Sequence, residues 1–458
     1  MDQNPDTALR SGPVIDATGL FLLISTITVF LLPLFIYFPP VPPSQRDALL
    51  ETHSPIGVKH NKNKNKKNTA SSSSSSSKTA IHQLWIYPVK SCKGIQLTSS
   101  KVLTYGLEFD RLYTFAQLKS PFPLSTNSST GEKPQKESWE FITQRQFPLL
   151  ATVTVELFVP DPVKARGKPL YSDANITDYF LLISFPWQEP GLRGVVSWVA
   201  AKLARGRSAV PEKQLVLPVN FPSQGEIESR GYEREEVKIW KDVVSALNME
   251  KDLPRELALY LGVSNRLGVF RVDPGRLREV HRCAPGREEA GYQPVTGFQD
   301  AYPLHLLNLS SIRDFGAKIT KDDALEQDLD ARRFRANIIV DGEDNNNPPY
   351  DEETWKKVRF EKSPTSEAEG KSSSFHVSCR TVRCKMPNVD QDSGYRHPAE
   401  PDRSLRKLRD VDEGARLKGC LGMQLTPLFD DEKKLESWVE VGMGVEVLEK
   451  GSHRYINQ

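Results

Sequence analysis

With 458 residues, 61 Lys+Arg against 59 Asp+Glu and a net charge of +2, the chain has room for about three domains. It lacks the global basic field that gathers nucleic acid, so any anion site must be local. Five cysteines, Cys92, Cys283, Cys379, Cys384 and Cys420, are too sparse and odd in number for a disulfide scaffold and point to a reducing compartment.

Between Asp16 and Arg46 no residue is charged, and Leu20 to Phe38 holds fourteen Leu, Ile, Val or Phe in 19 positions. At 1.5 Å rise per residue this stretch would span roughly 28 Å of hydrocarbon. Its insertion should be favourable by about 4 to 8 kcal/mol. A short tail (1–16) followed by a transmembrane signal anchor (17–40) is therefore expected. A cleaved signal peptide fits less well, because the tail carries Asp2, Asp6 and Asp16 against Arg10 and no A-x-A site follows. Residues 45–80 contain seven Lys/Arg and residues 1–16 contain one, so the positive-inside bias predicts a cytosolic C-terminal part. The next stretch, 41–80, is expected to be a flexible linker, since Lys59–Lys78 has no apolar residue except Ala70 and cannot offset the entropy of ordering.

From Ile81 the texture becomes β-rich. Leu84–Val89 is a run of β-formers, and Leu150–Val159 alternates with the two-residue period of a half-buried strand. Ala336–Val340, Phe375–Cys379 and Val439–Leu448 are further predicted strands. Helices are predicted at Val195–Ala204, with a Trp198, Val199, Leu203 stripe of the kind that usually faces a core, and at Pro254–Leu261, with Pro at a permitted first-turn position. The segments 121–137, 341–349 and 361–374 are rich in Ser, Asn, Pro, Gly and charge and read as surface loops. No internal repeat is visible. The charged region 224–241 divides the globular part into 81–240 and 241–450.

Cys384 sits in FHVSCRTVRCKMPNVDQDSG, where a strand-like run ends in a Pro-Asn turn that exposes the thiol. His376 and Cys379 bring zinc to mind, but Cys-x4-Cys lacks a second pair and its two thiols would face opposite ways on a regular strand. A lone cysteine is otherwise most often a small buried hydrophobe.

Four segments alter that balance: LWIYPVKSCKG at 84–94, ITQRQFPLL at 142–150, DARRFRANIIVDG with PYDEETWKKVRF across 330–360, and VRCKMPNVDQDSG at 382–394. In this order and spacing, over nearly all of Ile81–Glu449, the chain resembles the MOSC family in its two-part, amidoxime-reducing form. The resemblance implies an α+β, β-rich fold in which an N-terminal MOSC-type β-barrel-like domain packs on a MOSC β-barrel, with a molybdenum–pterin cofactor between them. It implies that Cys384 ligates molybdenum, a soft thiolate suited to a redox metal. It also implies that Lys90, Ser91, Arg111, Arg145, Asn308, Arg335 and Asn337 line the cofactor pocket, where Lys and Arg would hold a phosphate and an oxygen-rich rim with charge-assisted hydrogen bonds. Asn388 and Asp390 follow the metal-binding Cys on a turn where they would meet substrate. Members of the amidoxime-reducing type often have Thr-Thr where this chain has Pro387-Asn388, and a cofactor-side Ser where it has Asn308.

The activity implied is reduction of N-hydroxylated or N-oxide compounds. No NAD, haem or pyridoxal-phosphate site is recognisable, so electrons must come from another protein, in relatives a b-type cytochrome with its NADH-dependent flavin reductase. By the same resemblance the membrane is the outer mitochondrial one, although endoplasmic reticulum insertion is equally consistent with these residues. Two other classes stay open: a sulfur-carrying or cofactor-handling MOSC protein using a Cys384 persulfide, and a non-catalytic membrane scaffold.

Overall fold

Runs of β-branched and aromatic residues make strands the commonest regular element among the described residues. The computed structural model describes residues 16–37, 44–58, 78–120, 137–166, 178–206, 209–322, 324–343, 346–362 and 372–456. Its largest sheet has eight strands in the order Ile338–Asp341, Leu304–Asn308, Cys420–Leu428, Ser372–Val382, Trp355–Glu361, Gly444–Lys450, Ala80–Ile86 and Ile95–Leu97. Ala80–Ile86 pairs in addition with Ile338–Asp341, which brings the sheet round on itself. A second barrel is closed by Glu233–Ile239, Asp242–Asn248, Leu267–Val272, Tyr113–Lys119 and Ser138–Phe141. The division expected at 240/241 falls in the turn between two paired strands of this barrel. A four-stranded sheet joins His53–Ile56, Thr154–Pro160, Phe180–Pro186 and Glu212–Pro218.

Contacts divide the chain into two compact units. One comprises 48–187 and 212–458 and holds the barrels; the other comprises 1–47 and 188–211. Within the barrel unit a large apolar core includes Ile81, Leu84, Leu306, Val340, Phe360 and Phe375. It therefore draws on both ends of the globular sequence.

Several elements depart from expectation. The alternating stretch 150–159 is not one strand, because Pro148 starts a 3-10 turn at Pro148–Thr152 and the strand begins at Thr154. Val439–Leu448 is split into Glu436–Glu440 and Gly444–Lys450 by a turn in which Gly442 adopts φ 92°. Residues 44–58, expected within the linker, instead form a helix, Gln45–Leu50, and a strand, His53–Ile56, in register with Leu157–Pro160. Buried His53 fixes the strand through a 3.0 Å hydrogen bond with the Asp178 carbonyl. The helix Leu192–Arg205 forms as predicted, but Trp198 and Val199 are exposed rather than packed in a core.

Ala17–Tyr37 is a helix without a charged side chain. Its side chains are described through Leu31, and among the described residues no helix is long and apolar enough to cross a membrane. The fold thus does not establish the transmembrane span expected over Leu20–Phe38, of which Phe38 lies outside the described residues. Also outside them are 1–15, 59–77 of the expected tether, 121–136, 344–345 and 363–371 of the expected loops.

Candidate functional site

The strand Ala80–Ile86 ends in the turn Tyr87–Ser91, which is laced to the segment 110–113. Tyr87 N–H donates to Asp110 Oδ1 at 2.6 Å, Arg111 N–H to the Tyr87 carbonyl at 3.0 Å, and Lys90 N–H to the Tyr113 carbonyl at 2.8 Å. Ser91 (φ 67°), Arg111 (φ 53°) and Arg335 (φ 53°) all adopt the left-handed conformation. Each such residue stores roughly 1–2 kcal/mol. Backbone strain of this kind gathers at sites where geometry matters more than stability.

Arg335 follows the 3-10 turn Ala331–Phe334, whose start is capped when Arg332 N–H donates to Asp330 Oδ1 at 2.8 Å. The Arg335 guanidinium is buried, yet none of its three nitrogens has a hydrogen-bond partner. It lies 4.1 Å from the centre of the Tyr87 ring. Arg111 lies 4.9 Å from the same ring, and its Nε makes no hydrogen bond but is ion-paired with Asp110 Oδ2 at 3.6 Å. Burial, aided by the Arg111 charge, lowers the Arg335 pKa to about 10. Burial outweighs both cations for Tyr87 and pushes its phenol up to about 12. At neutral pH the neutral Tyr87 phenol therefore lies between Arg335, buried without a hydrogen bond, and Arg111, ion-paired with buried Asp110.

Beside it, buried Lys90 donates to the Phe298 carbonyl and to Asp300 Oδ1, each at 2.7 Å. Burial pulls the Lys90 pKa down to about 8, against the opposing pull of Asp300. The Asp300 side chain is 50% exposed. Burial raises its carboxyl, but the Lys90 ion pair, joined by Arg111 and Trp240, outweighs that and holds it well below the usual range. Trp240 Nε1 donates to the same carboxylate at 3.0 Å, and the Arg145 guanidinium stacks 4.1 Å from a Trp240 ring. Arg145 Nε also donates to Thr143 Oγ1 at 3.4 Å.

Cys384 lies just past the strand Ser372–Val382 and before the 3-10 turn Met386–Asn388. Its half-buried thiol is raised by burial and pulled back by the Met386 N–H and by Arg145 and Arg383, while Asp300 raises it further. Arg145 and Asp300 of the preceding group thus reach Cys384, together with Arg383. Arg383 donates to His305 Nε2 at 2.5 Å and to the Leu421 carbonyl at 2.8 Å. Burial, reinforced by Arg383, keeps His305 neutral. Cys92, Cys379 and Cys420 are buried core thiols, and Cys283 sits in a separate cluster with Val280, Tyr302 and Cys379.

The remaining sequence-predicted residues serve different ends. Asn337 bridges strands, donating to the Trp85 carbonyl and accepting from the His305 N–H, both at 3.2 Å. The Ser91 carbonyl accepts from Gln144 at 2.7 Å, and Gln144 pairs with Gln391 beyond the Cys384 turn. Asn388 is buried with its amide committed: it donates to the His397 carbonyl at 3.1 Å and accepts from Asp402 N–H at 2.9 Å. Asp390 accepts from the Ser393 N–H at 2.7 Å and pairs with Arg333 at 3.2 Å. Ser393 and Arg333 keep its carboxyl low although burial alone would raise it. Asn308 is not in this group, because its side chain caps the helix Leu309–Lys318 and donates to Asn347 and Glu352.

Tyr87, Asp300, Trp240 and His305 escaped the sequence reading. Tyr87 lies inside the segment 84–94 and was within reach of it; Asp300 and Trp240 stand in charged, irregular stretches with no local signal. Two small pockets flank the stack, one lined by Trp85, Tyr87, Lys93 and Arg332, the other by Asp110, Arg111, Arg271 and Gln299. Among the described residues no group of three or more His, Cys, Asp or Glu is arranged to hold a metal ion. The donors present, unbonded buried guanidinium with Lys and a thiol, fit an anionic organic group carrying a soft metal.

Comparison with known proteins agrees with that chemistry. Residues 78–173 match the model of the MOSC N-terminal beta barrel domain, and residues 293–446 match the MOSC domain. The chain is 22% identical over 350 residues to mitochondrial amidoxime reducing component 2 of Rattus norvegicus, covering 76% of this chain and 77% of that protein. It is 22% identical over 341 residues to mitochondrial amidoxime-reducing component 1 of Homo sapiens, covering 73% and 74%. A shorter match, 28% over 163 residues, is to molybdenum cofactor sulfurase of Oryza sativa subsp. japonica, covering 33% of this chain and 17% of that protein.

Proposed function

Because this chain is a two-part MOSC protein that resembles the amidoxime reducing components, we propose that it holds a molybdenum–pterin cofactor and reduces N-hydroxylated or N-oxide compounds. The observation that carries the reading is Arg335: a buried guanidinium with every nitrogen lacking a hydrogen bond is a donor set without its acceptor, and the phosphate or ring carbonyl of a phosphorylated pterin is such an acceptor. When bound, the molybdenum centre supplies the two-electron chemistry. Arg335 and Arg111 would then hold anionic oxygens, Lys90 and Arg145 would face the cofactor's polar rim, and Asn337 would keep the strand ends in register. Cys384 would hold the metal. Its thiol, raised by burial, gives up its proton when a cation arrives. Asn388 and Asp390 shape the turn that carries Cys384.

Electrons reach the site from a partner protein, by analogy with the relatives a b-type cytochrome served by an NADH-dependent flavin reductase. The apolar helix Ala17–Tyr37 tethers the chain to a membrane with the barrels on the cytosolic side. The mitochondrial names of the relatives favour the outer mitochondrial membrane.

The test is the molybdenum and pterin content, and the amidoxime reduction with an artificial electron donor, of the full chain made in a cofactor-competent host, wild type against Cys384→Ser. Loss of metal and activity with an unchanged thermal midpoint is expected. A Cys384→Ser protein that keeps its molybdenum and its rate would falsify the reading. The match to molybdenum cofactor sulfurase supports a second reading, in which Cys384 carries a persulfide; cyanide-labile sulfur on wild type, absent from Cys384→Ser, would favour it. Wild-type protein devoid of metal, pterin and labile sulfur would leave a membrane scaffold.

A further inference from the structure

The helix Leu192–Arg205 lies between two adjacent antiparallel strands, Phe180–Pro186 and Glu212–Pro218, and outside both stretches that match the family models. Nothing in the proposed chemistry uses it. Its apolar side chains are exposed: Leu192 85%, Val195 56%, Val196 57% and Trp198 44%. Isolated exposed apolar residues are normal, but an uninterrupted group with an indole among them marks an interaction surface. Charge identifies the partner. From Gln188 to Pro211 the chain carries Arg193, Lys202, Arg205 and Arg207 against a single acidic residue, Glu189. Lys202 Nζ lies 4.6 Å from the Trp198 ring, so a cation and an amphipathic aromatic share one face of the helix, a turn apart. That arrangement belongs at a membrane–water boundary, where Trp sits among headgroups and lysine extends to phosphates. A second observation agrees: this helix falls in one compact unit with the apolar helix Ala17–Tyr37, not with the barrels.

We propose that Leu192–Arg205 is an interfacial helix that lies in the surface of an anionic bilayer, with Val195, Val196 and Trp198 at the acyl boundary and Lys202 towards the headgroups. A single tether leaves a domain free to swivel, whereas a second contact limits the orientations in which the cofactor site can meet a membrane-bound electron donor. The inference is separate from the tether reading, because a surface helix binds anionic lipid whether or not Ala17–Tyr37 spans.

The experiment mixes the full chain, wild type and Trp198→Phe, with vesicles of phosphatidylcholine alone or of phosphatidylcholine with phosphatidylserine, each with brominated acyl chains. The difference between the two proteins isolates the Trp198 emission. Most of it should be quenched on serine-lipid vesicles and restored by high salt, by the Lys202→Glu/Arg205→Glu variant, or by Val195→Ser/Val196→Ser at positions already exposed. Flotation with neutral vesicles reports the tether separately. A chain that floats while its Trp198 emission stays as accessible to aqueous iodide as in vesicle-free buffer overturns the interfacial helix and spares the tether. A chain that floats only with serine-lipid vesicles, reversibly with salt, overturns the tether and supports the helix. No flotation and no quenching on either lipid overturns both.

Discussion

A guanidinium sealed from water without a hydrogen-bond partner destabilises the fold that contains it, by several kcal/mol for an isolated ion. The Tyr87 ring at 4.1 Å from Arg335 returns about 2 kcal/mol of that as a cation–π contact. The deficit explains what Arg335 is for, since natural folds keep such groups where function requires them. Arg335→Met preserves length and the left-handed backbone while removing the charge. In cofactor-free protein it should therefore raise stability by about 1–2 kcal/mol. The same variant purified from a cofactor-competent host should retain less pterin. Thermal melts of the apo proteins and pterin content by fluorescence check both halves, and a lower apo midpoint would show that Arg335 is structurally satisfied. At this scale the sequence offers candidate residues but not their wiring. Lys90, Arg111 and Arg335 could be singled out because they stand inside distinctive segments. The roles of Tyr87 and Asp300 depend on contacts such as Asp300 with Lys90, 210 residues away, which no local pattern announces. Asn308 shows the converse: a residue assigned by position to the cofactor has its polar atoms spent on a helix cap and on Glu352.

That cap belongs to an element with its own electrostatics. Glu352, fully buried, accepts from Ser311 Oγ at 2.7 Å and from Asn308 Nδ2 at 3.0 Å at the start of the helix Leu309–Lys318. Burial dominates, and the carboxyl is raised from 4.5 to about 7. Its folded pKa exceeds its unfolded one, so the folded state binds the proton more tightly. The stability this contributes is complete below pH 4.5 and is lost as pH rises through about 7. At about 1.4 kcal/mol per unit the change is on the order of 3 kcal/mol. Glu352→Gln, a neutral isostere, should flatten the thermal midpoint between those pH values and raise it most at pH 7 and above. An unchanged pH profile in Glu352→Gln protein would rule the assignment out. Elements themselves were legible where one periodicity ran unbroken, as in Ser372–Val382 or Leu192–Arg205. They were misjudged where a single residue redirected the backbone: Pro148 turned half a predicted strand into a 3-10 turn, and Gly442 cut another in two.

Strand order is where sequence reasoning stops, and it makes the molecule a cooperative whole. Ala80–Ile86 stands early in the barrel unit, yet it pairs with Ile338–Asp341 and Gly444–Lys450. Closing so long a loop costs only about 0.6 kcal/mol per doubling of its length, so nothing local need mark the pairing. The core containing Ile81 and Leu84 also contains Val340 and Phe360. Residues 241–450 alone would then expose the edge of Ile338–Asp341 and lose the strand Glu233–Ile239 that pairs with Asp242–Asn248. An unpaired apolar edge associates with others of its kind. We expect residues 241–450, expressed alone, to be aggregated or to melt without cooperativity, and residues 78–240 to be no better. Co-expressed, the two pieces should assemble into a one-to-one complex that binds pterin, because Lys90, Arg111 and Arg145 come from one piece and Arg335 and Cys384 from the other. Size-exclusion chromatography and pterin content decide the matter. A monomeric 241–450 piece with a sharp unfolding transition would mean that residues 241–450 need no strand from 78–240.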